Sequence, residues 1–343
     1  MLHRVLQGSS SFIVCPMADI RNCARVAFLM RIVSLLPSAT EILFALGLDR
    51  EVVGVSHECD FPPQARTKPV VIHSRLPHSA PPAEIDRLVR EYVARSKSLY
   101  AVDMQKLEEL HPDLIITQDL CHVCAASPDD LAAALTRFDR RPEVLCLNPQ
   151  DLGDVWRDIL LVGEAACRGI QAEQLVDDIG QRQGALEQQL DSSARQPRVA
   201  FLEWLEPIYV GGHWVPEMIR YAGGEDAIGS AGKASFRVPL QEVVEAEPDI
   251  LLIAPCGYTA QQARSEYESL ELPDQWHAIP AVKNNQVYAL QANSYFSRPG
   301  PRLVTGIEIL AKIIQPSVSV SREAESAVVR IPSGGIATRA ASA

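Results

Sequence analysis

Two short segments carry the residue types that metal or redox chemistry needs. His57-Glu58-Cys59-Asp60 is one, and Cys121-His122-Val123-Cys124 is the other. A CxxC spacing supplies one ligand pair for zinc or iron, and Cys59 with His57 would complete a set of four if the two loops converge. Three readings stay open at this point: a Zn or Fe site, a redox-active or disulfide pair, and plain thiols lining a pocket. Ser127-Pro128-Asp129 opens a helix just downstream of the CxxC, and a depressed thiol pKa near a helix start would favour the redox version. Cys146 and Cys167 lie in apolar strand and helix contexts and read as buried, inert thiols.

The second half of the chain carries a different chemistry. Trp204, His213, Trp214, Tyr258, Trp276, Tyr295 and Phe296 all fall on loops or strand ends, in a chain that is only 6% aromatic. A broad, flat macrocycle is held by aromatic and apolar area with a few placed polar groups, so this set suits a corrin or haem face. Trp214 follows Gly211 and Gly212, which permit close approach, and is expected at the ligand. Trp276, beside a WHAIP turn, fits the core or the site equally well. His213 reads as an axial metal ligand or, with more weight, as a hydrogen-bonding residue. Arg298 has the planar fork that holds a phosphate, carboxylate or amide edge, and equally suits a salt bridge at a hinge.

The elements that must position these residues alternate. Short apolar runs (RIVSLL, EVVGVS, KPVVI, LIIT, EVLCL) alternate with helical stretches from Arg31 onward, which indicates a parallel sheet. Ser38 and Glu41 have capping-box spacing for the first helix, which Gly47 ends. The chain also copies itself: LEELHPDLIITQDLC (Leu107 to Cys121) recurs as VVEAEPDILLIAPCG (Val243 to Gly257), and RIVSLLPSATEILFALGL echoes in the segment from Arg198 to Gly224. Two similar α/β lobes follow, with ligand-facing loops at the carboxyl ends of their strands. Between Pro149 and Pro197 there is no proline, and an apolar stripe at helical spacing predicts one connector helix over 151–192, ~60 Å long at 1.5 Å per residue. Gly169, Gly180 and Gly184 are its weak points. The expected division is an N-terminal extension (1–29), a first lobe (30–150), the connector helix, a second lobe (197–315) and a disordered tail (316–343).

Composition excludes several classes. The net charge of −11, with Lys and Arg scattered, argues against a nucleic-acid surface. No apolar stretch approaches the ~20 residues that span a bilayer. No P-loop, GxSxG elbow or HExxH helix is present, so an enzyme is not expected. The eight cysteines are spread too widely for a disulfide framework. The first 29 residues lack a secretory apolar core, Cys15 is a poor lipidation site, and Met30 opens directly on the first strand. A cytoplasmic monomer is therefore expected, with an extracytoplasmic one as the alternative if the start is misplaced.

SLLPSATEILFALG, VGVSHECDFPPQA, the two Pro-Asp strand repeats and SRPGPRLVTGIEIL, together covering about Arg31 to Ile314, resemble the periplasmic-binding-protein family that captures cobalamin and ferric siderophores. The HEC, DLCHVCAAS and GHWVPEM segments resemble its cobalamin-binding subgroup. The resemblance implies two α/β lobes joined by a long helix, a corrinoid ligand, and delivery to the membrane subunits of an ABC importer. Pro37 and Ser38 join His57, Cys59, Cys121, Cys124, Trp204, His213, Trp214, Tyr258, Tyr295 and Phe296 in the expected ligand set, and in the resemblance the Ser297–Arg302 segment, including Arg298, closes the site. The resemblance also implies importer docking through one acidic residue per lobe, for which Asp129 or Asp130 and Glu242 or Glu245 are the candidates. A haem or ferric-siderophore binder, and a metal- or thiol-dependent redox protein using Cys121 and Cys124, are the alternatives.

Overall fold

The computed structural model describes residues 30–77, 82–95, 99–118, 131, 135–136, 138–191 and 193–332. The expected N-terminal extension, Cys121, Cys124, Asp129 and Asp130 lie outside the described residues.

The first lobe runs β1 (Ile32–Ser34), α1 (Pro37–Ala45), β2 (Val52–Ser56), β3 (Val70–Ser74), α2 (Pro82–Ala94), β4 (Tyr100–Val102), α3 (Met104–Glu109), β5 (Leu114–Gln118) and β6 (Glu143–Leu147). Its sheet has the order β4-β3-β2-β1-β5-β6 and is parallel apart from β4 against β3. Strands β1, β2 and β5 are almost entirely buried because both sheet faces are covered. Helix α1 begins at Pro37, with Leu36 at its N-cap and no side-chain cap. Ser38 is thus inside the first turn rather than capping it, and Glu41 is free for another role.

The expected single connector is two helices, α4 (Leu152–Ala165) and α5 (Gly169–Glu187), roughly 21 and 28 Å long. They break at Cys167, whose φ of 53° is left-handed, and they pack on one another. A Cβ at Gly163 would fall 2.3 Å from the Ala172 Cβ, so the glycine permits the close crossing. Each helix touches both lobes. In α4, Leu152 and Val155 join the second lobe's core while Ile159 and Val162 join the first; in α5, Ala172 and Ile179 return along the first and Leu186 reaches the second.

On α4, Asp158 is 6% exposed, and its Oδ2 is buried without a hydrogen-bond partner. Burial, with the charge of Asp154 adding to it, pushes its pKa up to about 7. The folded chain thus holds a proton that the unfolded chain releases between about pH 4 and pH 7, so stability falls as pH rises through that window and is flat above it. Asp158→Ala is expected to stabilise the fold at pH 8 by about 1–3 kcal/mol, with the gain vanishing near pH 4. Thermal melts of both chains across that range measure it.

The second lobe follows as β7 (Arg198–Leu205), β8 (Ile208–Val210), α6 (Val215–Tyr221), β9 (Glu225–Asp226), β10 (Phe236–Arg237), α7 (Leu240–Glu245), β11 (Ile250–Ile253), α8 (Ala260–Ser269), α9 (Asp274–His277), α10 (Pro280–Lys283), β12 (Val287–Leu290), α11 (Ala292–Tyr295), α12 (Leu303–Ile314), α13 (Arg322–Ser326) and β13 (Val328–Ile331). The sheet order is β10-β8-β7-β11-β12-β13, with β9 beside β7. β7, β11 and β12 are parallel, whereas β8 and β13 run antiparallel to their neighbours. Residues 316–332, expected as part of a disordered tail, belong to this lobe. Val318, Ala324, Ala327 and Ile331 are buried, and β13 pairs along all four residues of β12.

The internal repeat is a structural one. Ile32 pairs with Leu114 as Val199 pairs with Ile250. In each copy the Pro-Asp carboxylate accepts from the backbone N–H of the arginine that opens the first strand, Asp113 from Arg31 at 3.0 Å and Asp249 from Arg198 at 2.9 Å. Each arginine's Nε then donates to the carbonyl that ends the preceding helix, at Leu110 and at Ala246. His111 and Glu247, next in line, both take positive φ.

Candidate functional site

An ion-pair clasp joins segments that follow the carboxyl ends of parallel strands in the two sheets. The segment after β12 and α11 crosses to the loops that follow β1 and β2. Glu41 on α1, its side chain 3% exposed, receives both oxygens' worth of bonds from Arg302, Nε at 2.8 Å and Nη2 at 2.5 Å, and lies 3.3 Å from Arg298 Nη1. Arg298 Nη1 also donates to Asp60 Oδ1 at 2.5 Å, and its Nη2 to the Glu58 carbonyl at 3.1 Å. The Arg302 guanidinium lies 3.9 Å above the Phe61 ring. Gly300 packs against Ser38, where a Cβ would sit 3.7 Å from the serine's Cα and Cβ. Burial pulls the Arg298 pKa down, but the hydrogen bond and charge of Asp60, with Glu41 beside it, outweigh that and raise it. Arg298, assigned to the ligand from sequence, is therefore consumed by the clasp, as the hinge reading anticipated. Pro37 and Ser38 open α1 beside it, with Ser38 2% exposed against Gly300.

On the first lobe's wall, His57 follows β2. Its Nδ1 lies 3.2 Å from the Ile72 carbonyl, and its ring centroid is 6.2 Å from that of His73 and 6.3 Å from that of Tyr100. Cys59 turns inward instead. It is 3% exposed, its Sγ is 3.1 Å from Thr40 Oγ1, and burial pushes its thiol up to about 12. It belongs to the first lobe's buried core cluster, so Cys59 is corrected from candidate ligand to core. Among the described residues no group of three or more His, Cys, Asp and Glu is placed to hold a metal.

The second lobe's wall forms at the ends of β7 and β11. Trp204 and Tyr258 meet edge to face at 5.8 Å. Tyr258 is pushed up to about 12 by burial and then by its hydrogen bond to Glu266 and that residue's charge. Glu266 is itself raised by burial, partly offset by the Tyr258 hydrogen bond, with Glu206 adding repulsion. Two polar atoms here are buried without a partner, Trp204 Nε1 and Glu266 Oε2. Such groups cost about 1–3 kcal/mol each until something satisfies them. Alongside, a recess of about 480 Å³ is lined by Leu205, Pro207, Ile208, Val238, Pro239 and Leu240, with Glu206 and Arg237 as its charged members. Sequence reading missed this recess. Its signal was the Pro-rich, apolar character of LEPI and RVPL at the two strand ends, but nothing in the sequence shows that β8 and β10 pair to bring them together. A second recess of about 430 Å³ lies beside Pro112 and Asp113, at the opposite edge of the first lobe's sheet.

Four aromatic candidates leave the wall. β8 runs antiparallel to β7, so the chain after it is carried away from the carboxyl edge and into the core. There Trp214 is 5% exposed, and its indole Nε1 donates to the Phe296 carbonyl at 2.8 Å. Phe296 is 2% exposed against Phe201, and Tyr295 is 8% exposed with its hydroxyl donating to Glu323. Trp276 donates to the Tyr267 hydroxyl inside the other face's core. His213 stacks on Trp214, burial lowers its pKa, and its Nδ1 is buried without a partner. A metal-binding histidine ordinarily donates its second nitrogen to an acceptor, so axial ligation is disfavoured. Glu242 is exposed in the first turn of α7, and Asp130 lies outside the described residues.

The geometry agrees with comparisons to known proteins. An uncharacterized ABC transporter substrate-binding lipoprotein of Bacillus subtilis is 26% identical over 294 residues, 83% of this chain and 80% of its own. A vitamin B12-binding protein of Vibrio cholerae is 26% identical over 286 residues, 81% of this chain and 86% of its own. Among solved structures, the periplasmic vitamin B12 binding protein of Vibrio cholerae superposes with a TM-score of 0.61 at 22% identity, covering 83% of this chain and 96% of that one. A periplasmic heme binding protein from Pseudomonas aeruginosa gives 0.64 at 19%, covering 85% and 95%. At these identities the superpositions show the fold. The relatives are named as a lipoprotein and as periplasmic proteins, which overturns the expectation of a cytoplasmic chain. The pattern of the family described as periplasmic binding protein matches residues 32–294, a span that takes in nearly all of both sheets and the helical hairpin between them, and on that match the chain belongs to this family.

Proposed function

We propose that this chain is the substrate-binding component of an ABC importer, working outside the cytoplasm as a monomer, and that it holds a cobalamin-like corrinoid between its lobes. The observation that carries the reading is the Glu41–Arg298–Arg302 clasp that joins the strand-end loops of the two lobes, with aromatic and apolar area at the strand ends of the second. Such area suits a large, flat ligand more than a small polar one. The vitamin B12-binding relatives, matched over four-fifths of both chains, support the same ligand. The fate of Arg298 adds to it, because the cation on which an anionic siderophore would depend is already paired twice. Binding, not catalysis, is the activity, and the membrane subunits of the importer are the partner.

Haem is the second reading, since the same aromatic and apolar area suits any broad, flat macrocycle. Calorimetric titration separates the two. Cobalamin or cobinamide is expected to bind one to one with Kd near or below about 1 μM, or about −8 kcal/mol. No heat with either corrinoid at ~100 μM, and a haem spectrum in its place, would overturn the corrinoid assignment.

A further inference from the structure

Trp204, Tyr258, Glu266 and Glu206 serve the reading above only as area on a wall, yet their polar atoms are arranged for more. Trp204 Nε1 is a buried donor and Glu266 Oε2 a buried acceptor, each without a partner. Tyr258 touches both residues, its ring against the indole at 5.8 Å and its hydroxyl bonded to the Glu266 carboxylate. All three side chains are half-buried, at the ends of adjacent parallel strands or on the helix beside them. An orphan donor and an orphan acceptor on either side of one tyrosine match a group that both accepts and donates. A primary carboxamide is such a group: its carbonyl oxygen accepts from the indole N–H, and its NH₂ donates to the carboxylate. A carboxylate has no hydrogen to give. It would also meet Glu266 as a like charge, with Glu206 close enough to add to the repulsion.

We propose that Trp204, Tyr258 and Glu266, backed by Glu206, form a specificity-determining subsite that takes a carboxamide arm of the ligand and turns away a carboxylate arm. The chemical class selected is a macrocycle bearing carboxamides, such as a corrinoid, over one bearing carboxylates, such as a porphyrin. This rests on the macrocycle reading above and sharpens it. A site built to bond an N–H rejects the analogue lacking it strongly, because its buried polar groups are left unpaired.

The test keeps the ring constant and changes the arms. Cobinamide and cobyrinic acid, the corrin with carboxylates in place of carboxamides, are titrated into the wild-type chain and into Glu266→Gln, Glu206→Gln and Trp204→Phe. Wild type is expected to prefer cobinamide by 100-fold or more. Glu266→Gln is expected to narrow that preference at least 10-fold, chiefly by strengthening cobyrinic acid, and Glu206→Gln to shift it the same way by less. Trp204→Phe, which keeps an aromatic ring but loses the indole N–H, is expected to weaken cobinamide about 10-fold. Should Glu266→Gln fold poorly in a melt, Glu206→Gln, on an exposed hairpin, carries the charge test alone. Tight binding of cobinamide with an unchanged preference in both glutamine variants would overturn the subsite and leave the corrinoid reading standing. Binding of neither corrinoid to the wild type would overturn both.

Discussion

Trp214→Ala is expected to lower the stability of the chain by about 3–5 kcal/mol while leaving ligand affinity of the folded protein within about 2-fold. The tryptophan is 5% exposed, in one cluster with Phe201, Met218, Tyr295 and Phe296. Truncation would open a cavity the size of an indole in a core that relaxes only in part. It would also orphan the Phe296 carbonyl, which accepts the indole N–H at 2.8 Å. Trp204→Ala is expected to do the reverse, weakening the ligand by about 2 kcal/mol as an aromatic wall residue does, with little change in melting. Melting curves and titrations of both variants decide the point: a Trp214 variant that melts normally and loses its ligand would return that residue to the cleft.

The difference between these tryptophans shows what the sequence could and could not display. Both are aromatic, both lie near strand ends, and Gly211 and Gly212 before Trp214 invited a ligand. Strand direction separates them, and direction is a pairing property. Nothing local in Ile208–Val210 says that it runs back along β7, yet that reversal delivers Trp214 to the core and leaves Trp204 at the edge. The repeat was legible for the opposite reason. Its Pro-Asp turns, strand-opening arginines and short buried strands are local chemistry repeated twice, and the same bonds form in both lobes. The alternation of strands and helices, which fixes the fold class, was legible in the same way.

The missed elements share a further cause. The connector helix breaks at Cys167, a residue with no turn signature, because Gly163 lets Ala172 approach and folds the hairpin back on itself. The tail beyond Pro316 is polar in composition, but its few apolar residues are spaced to bury against α12 and β12. In both cases a tertiary contact overrides a composition rule. Arg298 is the instance closest to function: its fork was recognised, and its partners, more than 200 residues away in sequence, were not.

Those partners set the second large effect. Removing the Glu41 carboxylate would leave two guanidiniums close together at the junction of the lobes, with Arg298 retaining Asp60 and Arg302 retaining, among the described residues, the Phe61 and Tyr295 rings. Breaking a buried pair in this way costs about 3–5 kcal/mol, because the surviving charge stays out of water. Glu41→Ala is therefore expected to lower the melting temperature markedly, and the loss should persist in high salt, since a buried pair is little screened. An exposed pair such as Arg87 with Glu91 should contribute under about 1 kcal/mol and fade with salt. The clasp also ties the lobes at the base of the cleft, so small-angle scattering of Glu41→Ala is expected to show a larger radius of gyration, and ligand dissociation to quicken by about 10-fold or more. A reversal variant, with Arg302→Met added to Glu41→Ala, removes the excess positive charge and should recover part of the stability but not the slow dissociation, because an apolar contact restores burial without fixing the angle. If the double variant regains both, the clasp is a stabilising contact only and the lobes are held by the α4–α5 hairpin and α12 alone.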